Sequence, residues 1–243
     1  MTSGFEILPA IDLRGGRVVR LQQGDFERET AFSDDPVAVA LAFVDGGARW
    51  LHVVDLDGAR TGKPAHAGVI RRIVEAVGER AAVEVAGGIR TSEAAAAVLA
   101  AGAARAVVGT AALRDPSFAR RLVASHGPDR IAVALDIRDD LALGQGWRAG
   151  AADVRGEDAL MALADQGVVT FEATAIDRDG LLGGPDLELL TRLVALGRGE
   201  VIASGGVSSL EDIRAVREIG CVGSIVGRAL YEGRLDVASA VRA

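Results

Sequence analysis

The sequence predicts a (β/α)₈ barrel, and three observations lead to this fold class. Eight short apolar runs rich in Val, Ile and Ala alternate with eight longer stretches of helical period. Runs such as RIAVALD and EVIAS are apolar on both faces, which is typical of parallel strands that are covered on both sides. Eight strand–helix units in a chain of 243 residues fit a barrel of this type. A doubly wound open sheet is the alternative that the same alternation leaves open.

Each predicted strand follows an apolar run, and each predicted helix follows a stretch with helical spacing. In chain order, the strand runs are FEILPAID, WLHVVD, AVEVA, RAVVG, IAVALD, VVTFEAT, EVIAS and VGSIV. They place strands near residues 5–12, 50–55, 82–86, 105–109, 131–136, 168–174, 200–204 and 222–226. The stretches between them predict helices near residues 35–47, 65–77, 92–101, 115–125, 157–166, 186–196, 209–219 and 235–242.

The chain repeats itself at an offset of 118 residues, so that Gly87 corresponds to Gly205 and Gly109 to Gly227. The segment AGGIR at residues 86–90 corresponds to SGGVS at residues 204–208, and AVVGTAAL at residues 106–113 corresponds to SIVGRAL at residues 224–230. Upstream, PAIDLR resembles VALDIR with a small slip. A period this long does not indicate a solenoid. We expect one domain over residues 1–243, built from two half-barrels of approximately 1–127 and 128–243.

Composition and charge exclude several classes of function. The net charge is −7 and no basic stripe is present, so we expect no nucleic-acid partner. No apolar run is long enough to cross a bilayer, and the N-terminus does not read as a signal peptide. The single cysteine, Cys221, excludes an internal disulfide and reads as an inert core thiol. We therefore expect a cytoplasmic protein, and a monomer.

The repeated glycines predict two phosphate sites. In a barrel, ligands bind at the C-terminal ends of the strands, where these glycines fall. Glycine lets the backbone approach a ligand closely, and the N-terminus of a following helix attracts anions. Ser208 and Glu211 predict a capping box for the helix after the second glycine pair. Tight strand–helix turns would also use glycine, but four matched turns favour phosphate binding. Two such sites imply a ligand with a phosphate at each end.

Carboxylates also recur at matched strand ends. Asp12 and Asp136 end the first and fifth strands, and Asp179 follows the sixth. Two carboxylates across a bound substrate can act as general base and general acid. We favour this role for Asp12 and Asp179, whereas Asp55 and Asp57 are interpreted as capping or turn residues. The three histidines show no metal-ligand spacing and are interpreted as packing or surface residues, so we expect no metal site.

Taken together, these motifs resemble the ProFAR isomerase family of histidine biosynthesis. The resemblance covers about residues 5 to 241 and rests on segments in order, among them LPAIDLRGGRVVRL, VAGGIR, ATAIDRDGLLGGPDLELL and IASGGVSSLEDI. It implies a (β/α)₈ barrel that converts an N-linked aminoaldose into an aminoketose, an Amadori rearrangement. It also implies a sugar substrate with a phosphate at each end, and neither a metal nor an organic cofactor.

The resemblance assigns roles residue by residue. Asp12 is the general base that removes the C2′ proton, and Asp179 is the general acid that opens the furanose ring. Thr174 supplies a supporting hydroxyl, Asp136 positions the reacting groups, and Arg20 binds substrate from a loop of about 20 residues that is a candidate lid. The other residues expected to bind substrate or phosphate are Gly87, Gly88, Arg90, Gly109, Thr110, Gln145, Trp147, Gly205, Gly206, Gly227 and Arg228.

Substrate range is the point on which relatives of the family differ. Some relatives also isomerise phosphoribosyl anthranilate, and they carry an arginine where this chain has Gln145 and a serine where it has Ala86. Glutamine cannot form an ion pair with the anthranilate carboxylate, so we expect ProFAR to be the dominant substrate. Trp147 remains as a residue that could stack on the imidazole ring.

Two further functions remain open at this stage. A cyclase-type barrel shares the phosphate sites, but a cysteine usually precedes its first strand-end Asp, where this chain has Ile11. A non-catalytic barrel that binds sugar phosphates would not require both Asp12 and Asp179.

Overall fold

The computed structural model of the protein describes residues 4–144 and 154–243. The strands are β1 (Glu6–Arg14), β2 (Arg17–Gln22), β3 (Asp25–Ser33), β4 (Trp50–Asp55), β5 (Ala82–Ala86), β6 (Arg105–Val108), β7 (Ile131–Arg138), β8 (Leu141–Ala142), β9 (Val154–Arg155), β10 (Thr170–Ala175), β11 (Glu200–Ser204) and β12 (Gly223–Val226).

The helices alternate with these strands. They are α1 (Pro36–Asp45), α2 (Leu56–Thr61), α3 (Ala67–Val77), α4 (Ser92–Ala100), α5 (Thr110–Arg114), α6 (Pro116–His126), α7 (Gly156–Ala164), α8 (Leu187–Ala195), α9 (Leu210–Ile219), α10 (Arg228–Tyr231) and α11 (Val237–Arg242), with single 3₁₀ turns at Gly78–Arg80 and Pro128–Arg130. No helix in the described part of the chain is both long enough and apolar enough to cross a membrane.

Eight parallel strands close into a barrel in the order β1, β4, β5, β6, β7, β10, β11, β12. The last of them, β12, pairs with β1 through Glu6 and Gly223, and this pairing closes the sheet. The predicted (β/α)₈ fold class is confirmed, and the open-sheet alternative is wrong. All eight predicted strands and all eight predicted helices are present, and each of their ends lies within two residues of its predicted position.

The segment after β1 differs from its prediction. The sequence predicts a long loop, whereas the structure has an antiparallel hairpin, β2 and β3, that extends from β1. Gly15 and Gly16 have positive φ and make the turn that brings Arg17 opposite Arg14. The apolar residues of RVVRLQ, which are Val18, Val19 and Leu21, are then buried against the barrel, and this burial stabilises the hairpin.

Several helices begin at capping side chains that the sequence supplies. Asp35 accepts hydrogen bonds from the amides of Val37 and Ala38 at 3.1 Å, and Pro36 opens the same helix. The α9 cap differs from its prediction by one residue, because Ser209 and Asp212 form the capping box instead of Ser208 and Glu211. Asp212 sits at the third helical position, where its carboxylate reaches back to the backbone amide of Ser209 at 3.0 Å.

The barrel interior is filled in layers, and this places the site. Near the N-terminal ends of the strands, Leu8, Ile202 and Ile225 pack with Trp50. Outside the barrel, large aliphatic side chains of strands and helices form the main core. Toward the C-terminal ends the inward side chains become polar, and a cavity opens there. The fold thus presents its polar strand ends at a single rim.

Candidate active site

A cavity of about 250 Å³ lies at the C-terminal ends of the barrel strands. The predicted site residues that line it come from both halves of the chain. They are Asp12, Arg20, Gly87, Gly88, Arg90, Gly109, Thr110, Asp136, Thr174 and Asp179. A chain that folds as a barrel brings these strand ends together although they are up to 167 positions apart in sequence.

A second, smaller cavity adjoins the first across Arg20 and Asp179. It holds the remaining predicted residues of the C-terminal half, which are Gly205, Gly206, Gly227 and Arg228. Every predicted site residue within 4–144 and 154–243 therefore lines one of two connected cavities. Gln145 and Trp147 lie outside the described residues.

Arg20 stands between the two predicted catalytic carboxylates. Its Nη1 donates to Oδ2 of Asp12 at 2.8 Å, and its Nη2 lies 4.0 Å from Oδ1 of Asp179. The side chain of Arg20 is 11% exposed, and those of Asp12 and Asp179 are 11% and 17% exposed. A single guanidinium thus holds both acids at the middle of the cavity, each within reach of the same bound molecule.

Burial sets the protonation of these acids. Burial raises the pKa of Asp179 to about 6, against the opposing charge of Arg20, and the negative charges of Asp12 and Asp136 add to the rise. Burial also raises the pKa of Asp12, while the charges of Arg20 and His52 oppose it. Asp179 can therefore carry a proton near neutral pH, as a general acid must.

The glycine turns of the two halves have matching backbones. Gly87 and Gly88 have φ of 99° and 75°, and Gly205 and Gly206 have φ of 90° and 85°. Gly109 and Gly227 match as well, with φ of −117° and −111° and ψ of −103° and −99°. Because the same unusual angles recur at the same offset, the geometry supports an organisation in two half-barrels.

Two strand-end side chains flank the acids on the far side of the cavity. Asp136 on β7 and Thr174 on β10 are register partners, and both line the cavity. Thr174 is buried and also stands opposite Ser204 on β11. The Thr174 hydroxyl is therefore placed beside a carboxylate, where it can hydrogen-bond a group bound in the cavity.

Known proteins resemble this chain over almost its entire length. The family model described as "Histidine biosynthesis protein" matches residues 6–236. A relative from Roseiflexus sp. (strain RS-1) is 47% identical over 98% of this chain and 99% of its own. Relatives from Thermomicrobium roseum and Symbiobacterium thermophilum are 49% and 46% identical, covering 94% and 98% of this chain and 93% and 96% of theirs.

The chain belongs to the histidine biosynthesis protein family. All three relatives are named 1-(5-phosphoribosyl)-5-((5-phosphoribosylamino)methylideneamino)imidazole-4-carboxamide isomerase, the full name of ProFAR isomerase. The resemblance to the ProFAR isomerase family is confirmed.

The β2–β3 hairpin contributes residues of this family member's cavity that the sequence analysis missed. Leu21, Gly24 and Phe26 line the cavity from the hairpin side. The amide of Gln23 donates to the carbonyl oxygen of Asp179 at 3.3 Å, which ties the hairpin tip to the opposite half of the barrel. The sequence signal for a strand at this position is weak, because Val18 and Val19 are adjacent in RVVRLQ and only Val19 and Leu21 alternate with polar residues.

A buried charged cluster forms the floor of the cavity. It consists of His52, Glu84, Glu172 and Arg105, of which His52 and Glu172 line the cavity itself. The interpretation of His52 as a packing or surface residue is therefore incomplete. Charged residues in the middle of apolar strands, as in AVEVA and TFEATA, were the available signal.

The same cluster includes three groups with the chemistry of metal ligands. One ligand atom each from His52, Glu84 and Glu172 lies within 4.8 Å of the others. However, Nδ1 of His52 is already bonded to Glu84 Oε1 at 2.7 Å, and Nε of Arg105 donates to Glu84 Oε2 at 2.9 Å. Both carboxylate oxygens of Glu84 are thus already engaged by basic side chains, and the arrangement favours an ion-pair cluster over a metal centre.

The strand-end acids interpreted as capping residues are indeed engaged in turns. Asp55 accepts from the amides of Gly58, Ala65 and His66 at 2.6–2.9 Å and is fully buried. Asp57 accepts from the amide of Gly15 at 2.8 Å and pairs with Nε2 of His66 at 2.8 Å. These hydrogen bonds fix the loop beside the first glycine turn.

Gly206→Ala is expected to disrupt the second glycine turn. A Cβ there would lie 2.2 Å from the carbonyl oxygen of Gly184, and φ is 85°. We expect a loss of about 1–3 kcal/mol in the free energy of unfolding and a KM for ProFAR that rises about tenfold or more, since the predicted phosphate site would be displaced. Urea unfolding and steady-state kinetics measure the two effects. Gly183→Ala is the control, because its Cβ meets open space; equal KM values for the two variants would contradict the expectation.

Proposed function

We propose that this protein is an aldose–ketose isomerase that converts ProFAR, an N-linked aminoaldose, into the aminoketose PRFAR. The observation that carries the proposal is the pair of buried acids, Asp12 and Asp179, joined by Arg20 between two sets of glycine turns. A sugar with a phosphate at each end fits this arrangement, because its two ends reach the turns while its middle lies between the acids. Relatives with the name ProFAR isomerase support the substrate assignment.

The phosphates are proposed to bind at the glycine turns. One phosphate would lie against Gly87, Gly88 and Gly109, where backbone amides and the N-terminus of α5 offer donors. The other would lie against Gly205, Gly206, Gly227 and Arg228. Arginines flank both ends, since Arg90 lines the large cavity and Nη1 of Arg228 is fixed by the carbonyl oxygen of Gly180 at 2.7 Å.

Catalysis then requires only proton transfers. Asp179 protonates the ring oxygen, and the C1′–O bond breaks to give an iminium-like species. The positive charge at C1′ acidifies the C2′ hydrogen, which Asp12 removes as general base, and the enolamine formed tautomerises to the ketose. No electron transfer occurs, so the proposed chemistry needs neither a metal nor an organic cofactor.

The surroundings of each acid support its role. The raised pKa of Asp179, about 6, keeps a fraction of this acid protonated at neutral pH. Asp12 carries the closer ion pair to Arg20, at 2.8 Å, and this pair favours its ionised form. Asp136 and Thr174 are proposed to position the sugar, since both line the cavity opposite Asp12.

A side-by-side assay of purified protein on ProFAR and phosphoribosyl anthranilate tests the function. We expect turnover of ProFAR, and a kcat/KM for phosphoribosyl anthranilate that is about 10- to 100-fold lower, because Gln145 cannot supply the charged hydrogen bonds of an arginine. Gln145→Arg is the matched variant and is expected to raise the second activity. Absence of ProFAR turnover would overturn the proposed function, and equal rates on both substrates would overturn the substrate preference.

The cellular location, the oligomeric state and the partners of the protein are proposed from its composition and from the origin of its site residues. A cytoplasmic location agrees with the one cysteine, Cys221, which is buried, and burial raises the pKa of its thiol to about 12. A monomer is proposed because both sets of glycine turns and both acids come from one chain. No contact with nucleic acid or membrane is proposed, in keeping with the net charge of −7.

A further inference from the structure

The charged cluster below the cavity is expensive to bury, which raises the question of its function. The four residues His52, Glu84, Glu172 and Arg105 have exposed fractions of 7%, 0%, 2% and 8%. Well-packed apolar residues in such a layer are often as stabilising or more so. Two of the four side chains face the cavity in which the proposed reaction takes place. The cluster is therefore placed to act on that reaction.

His52 is held as a cation by its neighbours. Its Nδ1 donates to Glu84 Oε1 at 2.7 Å and lies 3.7 Å from Glu172 Oε1. Arg105, from β6, fixes the other oxygen of Glu84 and rests over the Trp50 ring, 4.5 Å from its centroid. Burial alone would lower the pKa of His52, but the charge of Glu172 and the hydrogen bond to Glu84 outweigh it and raise the pKa to about 9. Burial and the charge of Glu84 raise the pKa of Glu172 itself well above its usual range, so Glu84 is the principal anion beside His52.

The strand register places this cation next to the proposed base. Ala10 on β1 is opposite His52 on β4, and Asp12 is opposite Val54. His52 and Asp12 are therefore diagonal neighbours, two register positions apart on paired parallel strands. Both side chains line the cavity. The charge of His52 acts to lower the pKa of Asp12.

Within residues 4–144 and 154–243, Arg20 is the other cation whose charge acts on the pKa of Asp12. Arg20 on β2 pairs with it directly, Asp179 lies beyond Arg20, Asp136 faces Asp179 from β7, and the Tyr231 hydroxyl lies nearby on α10. Arg20 also borders the second glycine turn, with Nη2 2.4 Å from where a Cβ of residue 227 would stand. A phosphate bound at that turn would attract Arg20 and weaken its pairing with Asp12. His52, fixed on its strand, would remain.

We propose that His52 is a positioning residue for the isomerisation. Its positive charge, fixed below the cavity by the hydrogen bond to Glu84, keeps the carboxylate of Asp12 ionised and ready to remove the proton. The inference rests on the proposed function, because it assigns Asp12 as the base. It gives the buried cluster a role that packing alone does not require.

The pH dependence of kcat/KM on ProFAR tests this role with His52→Gln. Without the cation the pKa of Asp12 is higher, so the base stays protonated at pH values where the wild-type protein is active. We expect the acidic limb of the profile to move to higher pH by about one unit. At pH values above the limb the variant regains most of its activity. A merely structural loss would lower the rate at all pH values without moving the limb.

Two further variants test whether the shift of the acidic limb is specific to the buried charged cluster. Glu84→Gln removes the carboxylate that holds His52 and is expected to move the limb in the same direction. His66 forms a similar histidine–carboxylate pair, with 2.8 Å between its Nε2 and Oδ2 of Asp57, and neither residue lines the cavity. His66→Gln is therefore expected to leave the acidic limb at the pH of the wild-type protein. If His52→Gln does not fold, Glu84→Gln and the following measurement carry the test.

Nuclear magnetic resonance of the ligand-free protein gives a readout that does not depend on turnover. The ring nitrogens of His52 are expected to show the imidazolium form at pH 8 in the wild-type protein and a lower pKa in Glu84→Gln. A neutral His52 ring at pH 7, or an acidic limb unchanged in His52→Gln, overturns the inference. Wild-type protein that fails to isomerise ProFAR overturns the proposed function instead, so the two failures are distinguishable.

Discussion

Asp12→Asn is expected to lower kcat for ProFAR by about 10³-fold or more, because the amide cannot accept the C2′ proton and general acid–base catalysis contributes up to about 10⁴-fold. Asparagine keeps the shape of the side chain and removes only its charge. Arg20 is then free of its 2.8 Å partner, and both sets of glycine turns are intact. Binding of ProFAR is therefore expected to persist while turnover is lost.

Single-turnover kinetics and calorimetric titration with ProFAR measure the two quantities separately. Thermal unfolding followed by circular dichroism verifies the fold of the variant. Loss of the Asp12 charge is expected to lower the stability somewhat, because the buried Arg20 then keeps only Asp179, 4.0 Å away, of these two acids as a countercharge. Turnover within tenfold of the wild-type rate would remove the assignment of Asp12 as the base.

Asp179→Asn is expected to lower kcat by about 10²- to 10⁴-fold, because no proton is then delivered to the ring oxygen and the furanose does not open. Asp177→Asn is the matched control in the same loop. Asp177 has a side chain that is 57% exposed and pairs with Nε of Arg138 at 3.0 Å, outside both cavities. Steady-state rates for the two variants are compared at one pH near neutrality.

Asp136→Asn, measured beside these two, tests the competing choice of acid. Asp136 lines the same cavity and its charge contributes to the raised pKa of Asp179. Because Asp136 is proposed as a positioning residue, Asp136→Asn is expected to lower kcat less than Asp179→Asn does. A loss confined to Asp136→Asn, with Asp179→Asn near the wild-type rate, would transfer the role of acid to Asp136.

The barrel and most of its site residues could be predicted from the sequence for identifiable reasons. Strands buried on both faces leave continuous apolar runs, and many helices carry their own start signal, such as Asp35 followed by Pro36. Positive φ at residues 87, 88, 205 and 206 favours glycine, so two Gly-Gly pairs can be recognised in the sequence. Position at a strand end then indicated that Asp12 and Asp179 face the cavity, and both do.

The hairpin and the charged cluster were not predicted, because both depend on distant partners. The strands of the hairpin are stabilised by β1 and by the packing of Val18 and Val19 on the barrel, and a loop and an edge hairpin differ little in local sequence. The surroundings of His52 depend on Glu84, 32 residues away in sequence on the neighbouring strand β5, and on Glu172, 120 residues away on β10.

The sequence by itself determined the architecture, the doubled glycine turns and the acids at the rim, since periodicity, backbone strain and strand ends are local properties of the chain. Only the tertiary structure decided which charges meet: Arg20 between Asp12 and Asp179, and His52 between two glutamates. Charge interactions and desolvation depend on distances of a few ångströms between residues far apart in sequence. The proton affinities on which the proposed chemistry rests are therefore properties of the closed barrel.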